Sequence, residues 1–261
     1  MTWLIMKDCI YMENLKKEYG NVKAINNLDL CVNRGEIFGF LGPNGAGKTT
    51  TIRVLTTLTR PSSGLAAVEG FDVVSEADKV KKVIGVVQQH LSLDRDLTIK
   101  ENMEFHARLH HLSSSERKKR IQDLLNYVEL TDCADKMIDQ LSGGMKKKAG
   151  IVCSLLHDPK VLFLDEPTVG LDAQARRRLW DFLRRLNSDG TTIFLTTHYI
   201  EEAEVLCDRI GVMSNGGLIA LGTPVELRKK IGSVVVETLV TVSYTHLRAH
   251  ETVLDLVCRL L

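Results

Sequence analysis

The sequence has no Cys-x-x-Cys pair: its six cysteines, at 9, 31, 133, 153, 207 and 258, are scattered along the chain. That spacing points to neither a zinc site nor a disulfide framework and reads as reduced thiols in a cytosolic protein. An excess of charge of one sign is also missing, since 34 Lys and Arg stand against 33 Asp and Glu for a net charge of +1. A nucleic-acid partner therefore draws no support from bulk charge. No uninterrupted apolar run approaches the roughly 18 residues of a membrane span. The first residues lack the apolar core of a signal peptide. The expectation is a chain that does not itself cross a membrane. Neither an internal repeat nor a low-complexity linker is found. What remains is a globular composition, 44% hydrophobic and 26% charged over 261 residues, enough for one large domain or a domain with a subdomain.

The segment Gly42-Pro43-Asn44-Gly45-Ala46-Gly47-Lys48-Thr49, followed by Thr50, fits the phosphate-loop pattern G-x-x-x-x-G-K-[ST]. Its surroundings suit it, because residues 36–41 read as a strand and 49–58 as a helix. Glycines at 42, 45 and 47 let backbone N–H groups turn inward around phosphate oxygens, and the positive end of the helix adds to the attraction. Lys48 is expected to reach the outer phosphates and the Thr49 hydroxyl to hold Mg²⁺. Two more motifs follow in order: Leu141-Ser142-Gly143-Gly144 and Val161-Leu162-Phe163-Leu164-Asp165-Glu166. Ser142, Gly143 and Gly144 open a predicted helix, so their N–H groups and the Ser142 hydroxyl form a second anion cradle. Asp165, at the end of an apolar strand, is placed to hold the water shell of Mg²⁺, and Glu166 to orient and deprotonate an attacking water. One chain thus carries two phosphate half-sites.

Along the rest of the chain, residues 13–19 and 24–32 alternate like half-buried strands joined by a turn at Tyr19-Gly20-Asn21. Pro61-Ser62-Ser63-Gly64 is a turn, and 65–68 and 83–87 read as strands. Helices are predicted over 98–111 and 113–130, the second opened by the capping box Ser113-x-x-Glu116, and over 143–156. The runs Arg117-Lys118-Lys119-Arg120 and Lys146-Lys147-Lys148 are expected to be solvated helix faces. Gly150 costs its helix about 1 kcal/mol relative to Ala. Residues 161–164 and 191–196 suit buried parallel strands with a helix, 173–187, between them. Residues 218–220 followed by Leu221-Gly222-Thr223-Pro224 read as a last hairpin before a helix at 225–231. The fold class is α/β, a P-loop core with an antiparallel β subdomain and a helical subdomain inserted at about 90–158.

The three motifs, with Pro167-Thr168, Gly170-Leu171-Asp172 and Thr196-Thr197-His198, stand in the order typical of ABC transporter ATP-binding subunits. The chain resembles that family from about residue 11 to 231. His198-Tyr-Ile-Glu-Glu-Ala203 with Cys207-Asp208-Arg209-Ile210 further resembles the drug-resistance type, which works with ABC-2 type export permeases. The resemblance implies a P-loop NTPase of the ABC ATPase type that binds ATP and Mg²⁺. It implies that His198 contacts the γ-phosphate and water, and that Gln89 joins Mg²⁺ to the transporter contact, with Gln88 the competing assignment. Tyr19 would stack on adenine, or alternatively pack on the core as a hairpin aromatic. Two subunits would meet head to tail, each ATP lying between one P-loop and the other subunit's signature. Met145 stands where glutamine is commoner, as occurs in the export-type group.

The expected function is therefore an ATP-hydrolysing subunit of a membrane exporter, cytoplasmic at the inner face of the membrane, with a separate ABC-2 permease and a second ATPase subunit, likewise this chain, as partners and no nucleic acid. The alternative is a soluble ABC ATPase acting on ribosomes or DNA, whose members usually carry two cassettes or a long coiled coil that this sequence lacks. A third reading, an ATP-holding module without turnover, is opposed by intact Lys48, Asp165, Glu166 and His198.

Residues 242–252 resemble one reading frame of the transposase adapter used in short-read DNA sequencing, and 255–261 its continuation; Val253 and Leu254 fall at its variable index bases. The expectation is an ATPase domain over 1–240 and a non-native tail over 241–261. The other reading is a native amphipathic segment, since Val253, Leu254, Val257 and Leu261 lie at helical spacing.

Overall fold

The computed structural model describes residues 8–89 and 93–229. Alternating burial makes a hairpin of β1 (Asp8–Tyr19) and β2 (Val22–Asn33), with Cys9, Ile10, Met12 and Leu15 turned inward. After β3 (Ile37–Leu41) and α1 (Lys48–Leu55), β4 (Ser63–Val68) returns antiparallel to β1 and carries the short β5 (Phe71–Asp72). This four-stranded sheet has the order β2-β1-β4-β5. Next come α2 (Ala77–Val83), β6 (Ile84–Val87) and a helical segment of α3 (Ile99–Leu109), α4 (Ser114–Tyr127) and α5 (Gly143–Ser154). The chain then alternates through β7 (Val161–Asp165), α6 (Ala173–Ser188), β8 (Thr192–Thr197), α7 (Ile200–Leu206), β9 (Arg209–Ser214) and β10 (Gly217–Gly222).

The second sheet runs β10-β9-β3-β8-β7-β6, parallel except for β10 at its edge. Its central strands are apolar throughout because both faces are covered. Phe38, Phe40, Phe163 and Phe194 face the antiparallel sheet, while Ile37, Leu41, Leu162, Leu164, Ile193 and Leu195 face the helices. Phe38, Phe40 and Phe163 pack around Phe194, with ring centroids 5.4–5.6 Å from it. This alternation fixes strand register, and register fixes which residues emerge at the strand ends.

The helical segment docks on the core through α3 and α5. Two of its helices begin at reciprocal caps: Thr98 with Glu101 opens α3, and Ser113 with Glu116 opens α4, the latter as its sequence predicts. His110, at the end of α3, stacks on His157 with centroids 3.7 Å apart and planes 5° from parallel. His157 Nε2 in turn lies 2.8 Å from the carbonyl of Ile84, at the start of β6. A cleft of about 420 Å³, lined by Leu58, Val86, Gln88, Leu93, His106 and His110 among others, lies between β6 and this segment.

Several expectations need correction. Helices α1, α3 and α4 stop earlier than predicted, because Thr57, His111 and Glu129 take positive φ (63°, 57° and 61°) and cannot continue a right-handed helix. The last hairpin is not at 218–224: β9 and β10 form it around Asn215 and Gly216, whose φ values of 47° and 80° suit a tight turn. In the run 117–120, Lys118 and Lys119 are exposed, whereas Arg117 bonds to Glu104 and the Leu112 carbonyl and Arg120 to Asp158. Sequence reading missed β5, α2, α7 and β9, all short. The tail at 241–261 and the end of the helix predicted at 225–231 lie outside the described residues.

Candidate functional site

Four neighbouring strands, β3, β8, β7 and β6, deliver the predicted groups to one sheet edge, the carboxyl ends where ligands bind in open parallel sheets. The loop after β3 runs from Gly42 to Gly47 into α1. At Gly47 φ is 104°, and a Cβ there would stand 2.2 Å from the Ala24 carbonyl oxygen, so only glycine suits this close approach. The Lys48 side chain folds back on the loop, donating to the carbonyls of Gly42 at 2.6 Å and Pro43 at 3.0 Å. Burial lowers its pKa below the ordinary lysine value, while Glu166 and Asp165 pull it back up. Thr49 stands beside it, exposed, and Thr50 is half-buried.

Asp165 closes β7. Its Oδ1 accepts from the Thr49 hydroxyl at 3.2 Å and from the Thr196 hydroxyl at 2.6 Å. The Thr196 oxygen also accepts the N–H of Glu166 at 3.1 Å, so β8 orients both acids. Glu166 adopts φ 49°, a conformation few non-glycine residues hold, which turns its carboxylate toward the loop. Three groups converge on it: Lys48 Nζ at 3.7 Å, His198 Nδ1 at 3.2 Å and Gln89 Nε2 at 3.4 Å. The structure therefore brings together Lys48, Thr49, Gln89, Asp165, Glu166 and His198. Hydroxyl, carboxylate and carboxamide oxygens of this kind are the hard donors that Mg²⁺ prefers.

The second cradle is elsewhere on the surface. Ser142 caps α5, its Oγ accepting the N–H of Met145 at 3.3 Å, so the first turn presents backbone N–H groups. Among the described residues no hydrogen bond or ion pair joins Ser142, Gly143 or Gly144 to the P-loop. A Cβ on Gly143 would meet Leu171 at 3.3 Å and one on Gly144 would meet Ala175 at 3.3 Å, which places the cradle against the loop that follows Glu166.

Comparison with known proteins agrees with this geometry. The sequence pattern of the family described as ABC transporter matches residues 25–169, more than half of the chain. The chain belongs to the ABC transporter family. As an ATP-binding subunit of that family it binds ATP with Mg²⁺ and hydrolyses it. It is 48% identical over 223 residues to daunorubicin resistance ATP-binding protein DrrA3 of Streptomyces coeruleorubidus, covering 85% of this chain and 71% of that one. It is 44% identical over 227 residues to Nod factor export ATP-binding protein I of Ralstonia nicotianae, covering 87% and 71%. Among solved structures, the dimeric bacterial ABC transporter cassette MJ0796 superposes with a TM-score of 0.74 at 29% identity, over 82% of this chain and 98% of that one.

Within this ABC subunit, Gln89 rather than Gln88 turns toward the acids; Gln88 lines the cleft beside the helical segment. Tyr19 is 46% exposed at the hairpin end with Lys17 Nζ 4.8 Å over its ring, so it does not pack on the core. The lysine run after the signature is not a solvated turn. Lys147 is buried and donates to the Gln89 carbonyl at 3.2 Å, and Lys148 reaches the Val128 carbonyl at 3.4 Å. Sequence reading also missed Thr196, which orients both acids. A hydroxyl at the fifth residue of β8, just after the apolar run Ile193-Phe194-Leu195 and beside the catalytic edge, was the available signal.

Proposed function

We propose that this chain is the ATP-hydrolysing motor subunit of an ABC-2 type exporter, acting as a dimer on a separate membrane permease. The observation that carries the reading is the convergence of Lys48, Gln89 and His198 on Glu166, with Asp165 alongside, while the signature cradle of the same chain makes no hydrogen bond or ion pair with the P-loop among the described residues. In this reading the P-loop amides and Lys48 bind the phosphates. Thr49, Asp165 and Gln89 would hold Mg²⁺, which supplies charge neutralisation on the phosphate oxygens. Glu166 accepts the proton of the attacking water, and His198 orients that water and the γ-phosphate. Tyr19, exposed beside the loop-bearing sheet, stacks on the base.

The solitary signature cradle needs a second subunit's nucleotide, and the MJ0796 cassette is described as dimeric. The export assignment is supported by relatives named for antibiotic resistance and Nod factor export. Among the described residues no helix is long and apolar enough to cross a membrane, which agrees with a peripheral position at the inner membrane face. The cleft beside Gln88 and α3 is the surface through which motion passes to the permease.

Glu166→Gln tests the mechanism. The amide keeps shape but cannot take the proton, so turnover is expected to fall on the order of 10²- to 10⁴-fold while ATP affinity persists. Light scattering should then find an ATP-bound dimer. Adding Gly143→Asp, which sets a carboxylate against the partner's phosphates, should return it to monomer. A monomer in both cases across a protein concentration series would reject the composite site.

A further inference from the structure

Glu202 lies on α7, four residues beyond His198, and is only 1% exposed. A buried carboxyl is costly unless both oxygens find partners. Oε1 accepts the indole N–H of Trp180, on α6, at 3.1 Å. Oε2 is buried and makes no hydrogen bond, and the same is true of the Thr168 hydroxyl, which faces this carboxyl. Thr197 also presents its hydroxyl to Glu202. Arg176 on α6, Lys147 on α5 and Cys207 beyond α7 complete the titratable surroundings. Burial raises the carboxyl's pKa.

The two threonines belong to the catalytic edge. Thr168 sits two residues after Glu166, in a turn closed by the N–H of Val169 on the Glu166 carbonyl at 3.3 Å and of Leu171 on the Thr168 carbonyl at 3.1 Å. Thr197 precedes His198; its hydroxyl accepts the Tyr199 N–H at 2.9 Å, and its carbonyl accepts the Gly42 N–H of the P-loop at 3.3 Å. A hydroxyl and an acid facing each other unbonded are a small loop shift from a hydrogen bond.

We propose that Glu202 is a positioning residue for ATP hydrolysis: through Thr168 it sets the turn that carries Glu166, through Thr197 the strand end that carries His198, and so holds base and histidine on the same water. This rests on the ATPase reading above. Its test compares Glu202→Gln, Glu202→Ala and Thr168→Val in the full chain, by phosphate release against ATP concentration.

Glutamine accepts from Trp180 and donates to Thr168, so kcat should stay within about threefold of wild type, whereas alanine should lose about tenfold or more with KM for ATP nearly unchanged. Thr168→Val, which leaves the Trp180 bond intact, should lose kcat likewise and decides the matter if the alanine variant does not fold. Wild-type kcat in Thr168→Val, or a Glu202→Gln variant as slow as alanine, would overturn the proposal. A wild-type chain that releases no phosphate would overturn the ATPase reading itself; a working wild type with an equally fast alanine variant would overturn only the role of Glu202.

Discussion

Lys48 is a charge held in place by carbonyls, 4% exposed, with its ammonium on Gly42 and Pro43 and two acids within its field. The same ammonium is the one cation the P-loop can turn toward outer phosphate oxygens, and charge-assisted bonds of this kind contribute about 1.5–3 kcal/mol each. Lys48→Ala should therefore weaken ATP binding on the order of 10²-fold in a fluorescent-nucleotide titration. Unchanged affinity would remove the P-loop assignment. At this scale the motif residues were legible because their chemistry demands fixed types at fixed spacing. Thr196 and Glu202 were not, because they act through neighbours brought together only by strand pairing and by α6 packing on α7.

At the scale of elements, α5 joins the two half-sites of one chain. Its first turn is the signature cradle, and one turn later Lys147 grips the Gln89 carbonyl, whose side chain reaches Glu166. Lys147→Met keeps the apolar stem but leaves that carbonyl without its donor, a loss of about 1–3 kcal/mol locally. Turnover should drop on the order of tenfold with KM for ATP little changed, since Gln89 loses its main-chain anchor beside Glu166 while the P-loop is untouched. Equal kcat in steady-state assays would show that α5 does not speak to Glu166 by this route. Sequence spacing held the clue: Lys147 is four residues before Ile151, on the buried stripe of the helix, where an ammonium requires a partner. The long strands and capped helices were readable from periodicity and caps. Helices of seven residues, such as α2 and α7, span too few turns for periodicity to declare itself.

Across the whole molecule, the rigid doubly covered sheet holds the catalytic edge, and the helical segment is tied to that sheet partly through the facing rings of His110 and His157. Burial, then the nearby histidines 157, 106 and 111, push His110 down to about 4 from an ordinary 6.5. The folded protein thus holds fewer protons on this residue than the unfolded chain between those values, so its contribution to stability is present above 6.5 and is lost as pH falls toward 4. His110→Phe keeps a ring in the stack and cannot be protonated. Its melting temperature should depend less on pH than that of wild type between 7 and 5, and parallel curves would assign the acid sensitivity elsewhere. Two rings that lie flat on one another tolerate one positive charge poorly and two hardly at all. The stack is in this sense a seam that holds while both rings are uncharged, so protonation of His110 as pH falls toward 4 loosens the same contact that fastens the helical segment to β6.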